Sequence, residues 1–227
     1  MNIIIIGDSW AVPNYITPQP GWRARNHLSE LLVDDGHSVL NMGQNGGSNI
    51  YSFQRLERQY EGFKNFSNWE HNDYCIWYHT SMIRDAYEVI GKWRASKCSN
   101  ERLHAAADMS YAQIKQILQN LDIKNLIVME GYSPIVEPEF SKHLSPLHVV
   151  KNLRAHITGQ QLPNPFGVGE SVYAENLKVS NAELELHINQ VEQVQNAMAH
   201  SRMFPDYCHP DDRANKIIYD IVQGLIT

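Results

Sequence analysis

The segment Asn2-Ile3-Ile4-Ile5-Ile6, closed by Gly7, constrains the fold more than any other part of the chain. A half-buried strand alternates apolar and polar residues. This run is β-branched and apolar on both faces, which is how a strand inside a parallel sheet covered by helices on both sides reads. It predicts a central strand.

The rest of the chain alternates in the same sense. A helix over residues 23–34 places Leu28, Leu31 and Leu32 on one face, and His37–Leu40 reads as a second strand. The glycine-rich turn Gly43–Gly47 leads into a helix over Asn49–Phe63, followed by a third strand at Tyr74–Tyr78. Residues 101–121 carry Leu103, Ala107, Ile114, Leu118 and Leu121 at helical spacing, and Asn125–Met129 forms a fourth strand. Prolines 134, 138, 146, 163 and 165 break up the region 132–205, where a fifth strand is expected near Ser171–Tyr173. Ala182–Ala199 returns to helical spacing through Leu184, Ile188, Val191 and Met198. The last helix is expected to start at Pro210, with Asp211 and Asp212 in its first turn and Ile217, Ile218, Ile221, Val222 and Leu225 on its buried face. Strands alternating with helices predict an α/β chain with a parallel sheet of about five strands covered on both faces, and 227 residues suit a single domain spanning 1–227.

Composition removes several functions. With 43% apolar residues the chain is not expected to be disordered. A net charge of -6, with the 19 basic residues scattered, offers no stripe for nucleic acid. No apolar run approaches the roughly 20 residues that span a bilayer, so no membrane association is expected. The 11 histidines include no H-x-x-x-H or H-E-x-x-H pattern, so no metal is expected. Neither G-x-G-x-x-G nor a P-loop is present, which argues against a nucleotide or flavin cofactor. Cys75, Cys98 and Cys208 lack C-x-x-C spacing, and the motif at Gly7 leaves no room ahead of it for a signal peptide; a cytoplasmic location is the expectation.

The candidate chemistry lies at two separated motifs. Ser9 stands just past the carboxyl end of the first strand, where open α/β sheets place their ligand crevice. Asp206 and His209 stand immediately before the last helix. A serine hydroxyl needs a base within hydrogen-bond reach, itself oriented by a third group. His209 suits the base and Asp206, three residues earlier, the orienting carboxylate. On this reading activity falls on acidification as His209 protonates, whereas a flat rate from about pH 5 to 8 excludes it. Arg84 and Asp85 read as a solvated surface pair.

Gly7-Asp8-Ser9 after the first strand, Asn41 and Gly46 five residues apart after the second, and Asp206-x-x-His209 near the C-terminus together resemble the SGNH (GDSL-like) hydrolase superfamily. The resemblance implies a three-layer α/β/α sandwich of flavodoxin-like type and an oxyanion hole from the N–H groups of Ser9 and Gly46. The family's third block, Gly-x-Asn-Asp after the third strand, is absent, since this chain has Tyr78-His79-Thr80-Ser81-Met82 there. Ser81, Thr80 and His79, and Asn45 and Asn49 from the glycine-rich turn, stand as alternatives for the third donor. The implied function is hydrolysis of a small-molecule or carbohydrate ester through an acyl-enzyme, without cofactor. Trp22, Tyr51 and Tyr132 near the motif loops suit a sugar. The missing asparagine keeps open a catalytically silent binding module for carbohydrate or a protein partner. Nothing in the sequence sets the oligomeric state.

Overall fold

The computed structural model describes residues 1–12, 26–66, 69, 71–81, 84–85, 100–131, 134–163, 181–204 and 209–226. Five strands, β1 (Asn2–Gly7), β2 (Ser38–Asn41), β3 (Tyr74–His79), β4 (Leu126–Glu130) and β5 (His148–Val150), form one sheet in the order β2-β1-β3-β4-β5. All four pairings are parallel. The isoleucine run of β1 therefore lies inside the sheet, with Ile3 paired to Val39 on one side and Tyr74 on the other.

Alternation along the strands divides the interior into two cores. Ile4, Ile6, Cys75, Trp77 and Val128 face one cluster, whereas Ile3, Ile5, Ile76, Tyr78, Ile127 and Met129 face the other. The first is closed by α2 (Asn49–Phe66), α3 (Asn100–Asn120) and α4 (Glu139–His143), which contribute Phe53, Tyr111 and Phe140. The second is closed by α1 (Leu28–Asp34), α5 (Leu153–Thr158), α6 (Asn181–Ser201) and α7 (Asp212–Gln223), through Leu28, Leu153, Val194 and Ile218. A sheet apolar on both faces needs helices on both, and this three-layer α/β/α sandwich supplies them.

Most strands and helices fall within a few residues of the expected ranges, and two elements differ in a way that has a physical reason. The fifth strand is His148–Val150, only three residues long; the region 171–173, where it was expected, lies outside the described residues. A short strand following Pro146 carries too little alternation to stand out. The last helix begins after Pro210, because Asp211 is extended and its carboxylate accepts from the N–H groups of Arg213 and Ala214. An aspartate satisfying two free N–H groups is a stronger start signal than the proline before it.

The start of α1 is capped by an imidazole. His27 Nδ1 accepts from the Ser29 N–H at 3.2 Å, and Nε2 lies 3.0 Å from the Trp10 carbonyl. A carbonyl only accepts, so Nε2 carries the proton and the ring is neutral. Glu30 returns a bond to the His27 N–H, completing a capping box. Burial, the dominant influence, pushes this imidazole below its ordinary value, against smaller opposing effects of the Trp10 bond and Glu30. The unfolded chain then takes up a proton that the folded chain refuses, so this group's stability contribution is intact above about pH 6.5 and declines as the pH falls toward the lowered folded value. The expected decline is up to about 1.4 kcal/mol per pH unit within that window. Urea titrations of wild type and His27→Asn, which keeps a capping side chain, measure it: the slope of stability against pH should be shallower in the variant.

Candidate active site

The carboxyl edge of the sheet gathers the loops after β1, β2 and β3. After Gly7 the chain turns sharply, with the Ala11 N–H donating to the Asp8 carbonyl at 3.0 Å and the Trp10 N–H to Asp8 Oδ1 at 3.0 Å. An aspartate bonding the N–H two residues on is a turn device, and it holds Ser9 at the crest. His209, in the segment entering α7, is buried, and its Nε2 lies 2.8 Å from Ser9 Oγ. Two hundred residues of sequence separate this pair. Asp206 lies outside the described residues.

The loop after β2 is fastened onto the serine turn. Asn41 donates from Nδ2 to the Ala11 carbonyl at 2.8 Å and accepts the Gly43 N–H on Oδ1 at 2.9 Å. Gly43 lies so close that a Cβ there would stand 2.5 Å from the Ala11 carbonyl carbon. A further turn, Gly47 N–H to Gln44 carbonyl at 3.1 Å, presents exposed Gly46 at φ +67°. Among the described residues, no backbone hydrogen bond takes the N–H of Ser9 or of Gly46.

No protein-family model matches this chain, and no curated protein matches it. Among solved structures it is similar to the psychrotrophic esterase EstA from Pseudoalteromonas sp., inhibited by monoethylphosphonate, at 13% identity and a TM-score of 0.49, covering 99% of this chain and 96% of that one. It is similar to a catalytic mutant of Axe2, an acetylxylan esterase from Geobacillus stearothermophilus, at 12% identity and a TM-score of 0.43, over 99% and 93% of the two chains. A GDSL-like lipase from Parabacteroides merdae matches at 12% identity and a TM-score of 0.42, over 99% and 95%. Strand order and motif placement in this chain are the firmer ground: 2-1-3-4-5 is the flavodoxin-like order, with its crevice where β1 meets β3. This is the sheet type that the sequence motifs imply.

Where the SGNH pattern has its third block, this chain has a buried hydrogen-bond network. Asn49, fully buried at the start of α2, donates from Nδ2 to the Thr80 carbonyl at 3.0 Å and to Asp85 Oδ2 at 2.5 Å. Its Oδ1 accepts from Trp77 Nε1 at 3.1 Å and the Thr80 N–H at 2.9 Å. Both amide hydrogens are committed, so Asn49 in this arrangement has none for a substrate oxygen. Thr80 directs its hydroxyl to Asp8 Oδ2 at 2.9 Å, and Ser81 is fully buried. These residues brace the site from behind.

Arg84 and Asp85 are not a solvated pair. Asp85 is fully buried and accepts the Ile50 N–H at 2.7 Å, while Arg84 Nη1 reaches Asp8 Oδ2 at 3.1 Å. The sequence reading missed both because consecutive opposite charges in a loop normally face water. Ser48 caps the first turn of α2 by accepting the Tyr51 N–H at 3.2 Å, and Asp85 supplies the further acceptor that the Ile50 N–H needs. Two buried titratable groups of β3 stay protonated. Burial raises the Cys75 thiol, and burial with the nearby Asp8 charge raises the Tyr78 phenol.

Proposed function

We propose that this chain is a serine ester hydrolase acting on small acyl esters, with O-acetylated carbohydrate the first class to test. The 2.8 Å contact between His209 Nε2 and Ser9 Oγ carries this reading. Ser9 attacks the ester carbonyl while His209 takes its proton, then returns it to the leaving alcohol; water repeats the sequence on the acyl-serine. Asp206 orients the imidazole through its other nitrogen. The N–H groups of Ser9 and Gly46 receive the oxyanion. Gly46 supports that role because it is exposed, its N–H takes no backbone hydrogen bond, and its φ of +67° would strain a side chain.

A serine-directed alkyl phosphonate tests the nucleophile directly. Intact-protein and peptide mass spectrometry should find one adduct, on Ser9, together with hydrolysis of p-nitrophenyl acetate. Absence of both excludes the hydrolase. The commitment of Asn49 and Thr80 to the network favours one other reading, a binding module that has kept the crevice without turnover. Acetylated xylo-oligosaccharide binding in calorimetry, with neither labelling nor hydrolysis, would establish that reading instead.

A further inference from the structure

Asp8, adjacent to Ser9 in the chain, is a carboxylate that is only 2% exposed. Three donors converge on it: the Trp10 N–H on Oδ1 at 3.0 Å, and on Oδ2 the Thr80 hydroxyl at 2.9 Å and Arg84 Nη1 at 3.1 Å. Arg84 Nη1 also donates to Thr80 Oγ1 at 3.0 Å. The three side chains thus close a triangle in which hydrogens run one way, from the guanidinium to the hydroxyl and from both to the carboxylate. Arg84 is the cation of that triangle, and its side chain keeps 20% of its surface exposed at the sheet's carboxyl edge.

Resting on Ser9 as nucleophile, we propose that Arg84 is a positioning residue that cancels the charge of Asp8, so that the Ser9 turn can bear a developing oxyanion. The tetrahedral intermediate puts negative charge beside the Ser9 N–H, one peptide unit from Asp8. A buried carboxylate with no counter-charge would oppose that charge, and at low local dielectric the opposition is strong. Hydrogen bonds from Trp10 and Thr80 fix the carboxylate's position but leave its full charge; a cation removes it. Arg84 does not touch the substrate on this account. It acts through Asp8, and Asp8 acts through the turn.

The chemistry of the triangle makes a specific prediction about pairs of substitutions. Arg84→Gln removes the charge and keeps an amide donor on a shorter side chain, whereas Arg84→Lys keeps the charge. Asp8→Asn removes the opposite charge but points an amide N–H₂ at Arg84, donor against donor. In Asp8→Asn/Arg84→Gln the asparagine amide can donate to Thr80 Oγ1, which has lost the guanidinium bond, while its oxygen keeps the Trp10 N–H. Each single variant should therefore lower kcat on p-nitrophenyl acetate by about 10- to 100-fold with KM within about twofold. The double variant should recover to within several-fold of wild type, and Arg84→Lys should stay close to it. Phosphonate labelling rates of Ser9 should follow the same order, and thermal melting shows that each variant is folded.

Wild-type kcat in Arg84→Gln overturns the proposal, as does a double variant in which the two losses multiply. A loss confined to KM overturns it too, by making Arg84 a substrate clamp. Should Arg84→Gln fail to fold, Arg84→Lys and the double variant carry the comparison: recovery in the double supports charge cancellation, and an inactive folded double overturns it. Failure of the esterase reading looks different, because the wild-type protein itself then neither labels nor turns over.

Discussion

Replacing Ser9 by alanine, or His209 by glutamine, is expected to reduce kcat on p-nitrophenyl acetate by about 10⁴- to 10⁶-fold. On the proposed mechanism the two side chains, 2.8 Å apart, act as one unit. Without the hydroxyl there is nothing for the histidine to deprotonate, and without the histidine the hydroxyl remains a weak nucleophile. The double variant should consequently be no slower than either single variant. Stability should hardly follow activity: Ser9→Ala loses one hydrogen bond at a half-buried position, worth about 1 kcal/mol. Comparing turnover with the melting temperature separates a catalytic loss from a folding defect. If Ser9→Ala keeps more than about a tenth of wild-type turnover, another nucleophile is at work and the assignment fails.

The frame of the site was readable because it depends on patterns with short memory. Four isoleucines in a row can only be buried on both faces, so β1 had to lie within a helix-covered sheet, and its carboxyl end had to carry Ser9 to the crevice edge. His209 was legible for the same reason, since the start of the last helix marks where the chain returns to that edge. What resisted reading depends on partners distant in sequence. Asp8 meets Arg84 across 76 residues, and Asn49 meets Asp85 across 36. Nothing local to Arg84-Asp85 distinguishes a buried bracing pair from a solvated one. The β5 strand failed differently: His148–Val150 gains its order from Ile127, Val128 and Met129 on β4, so its own three residues contain almost none of the signal.

Gly43→Ala is expected to damage the site severely, although glycine at this position was read only as part of a turn. Its Cβ would sit 2.5 Å from both the carbonyl carbon and the carbonyl oxygen of Ala11, and 2.8 Å from the Ala11 Cβ. The two nearest are backbone atoms of the serine turn, and that turn cannot yield freely: the Ala11 carbonyl already accepts from Asn41 Nδ2, and the Ala11 N–H donates to the Asp8 carbonyl. The added carbon must push the β2 loop and the serine turn apart, breaking the Asn41 clamp. Overpacking of a well-fitted site costs about 1–3 kcal/mol, and losing a buried hydrogen bond adds about 1 kcal/mol more. Gly46 provides the control within the same loop. Its Cβ would meet nothing within 4 Å, so Gly46→Ala suffers only the strain of φ +67°, about 1–2 kcal/mol. Urea denaturation should rank Gly43→Ala well below Gly46→Ala in stability, and the Ser9 phosphonate labelling rate should fall further in Gly43→Ala. Equal stability of the two variants would mean that the β2 loop does not press on the serine turn, and that Asn41 does not hold the two together.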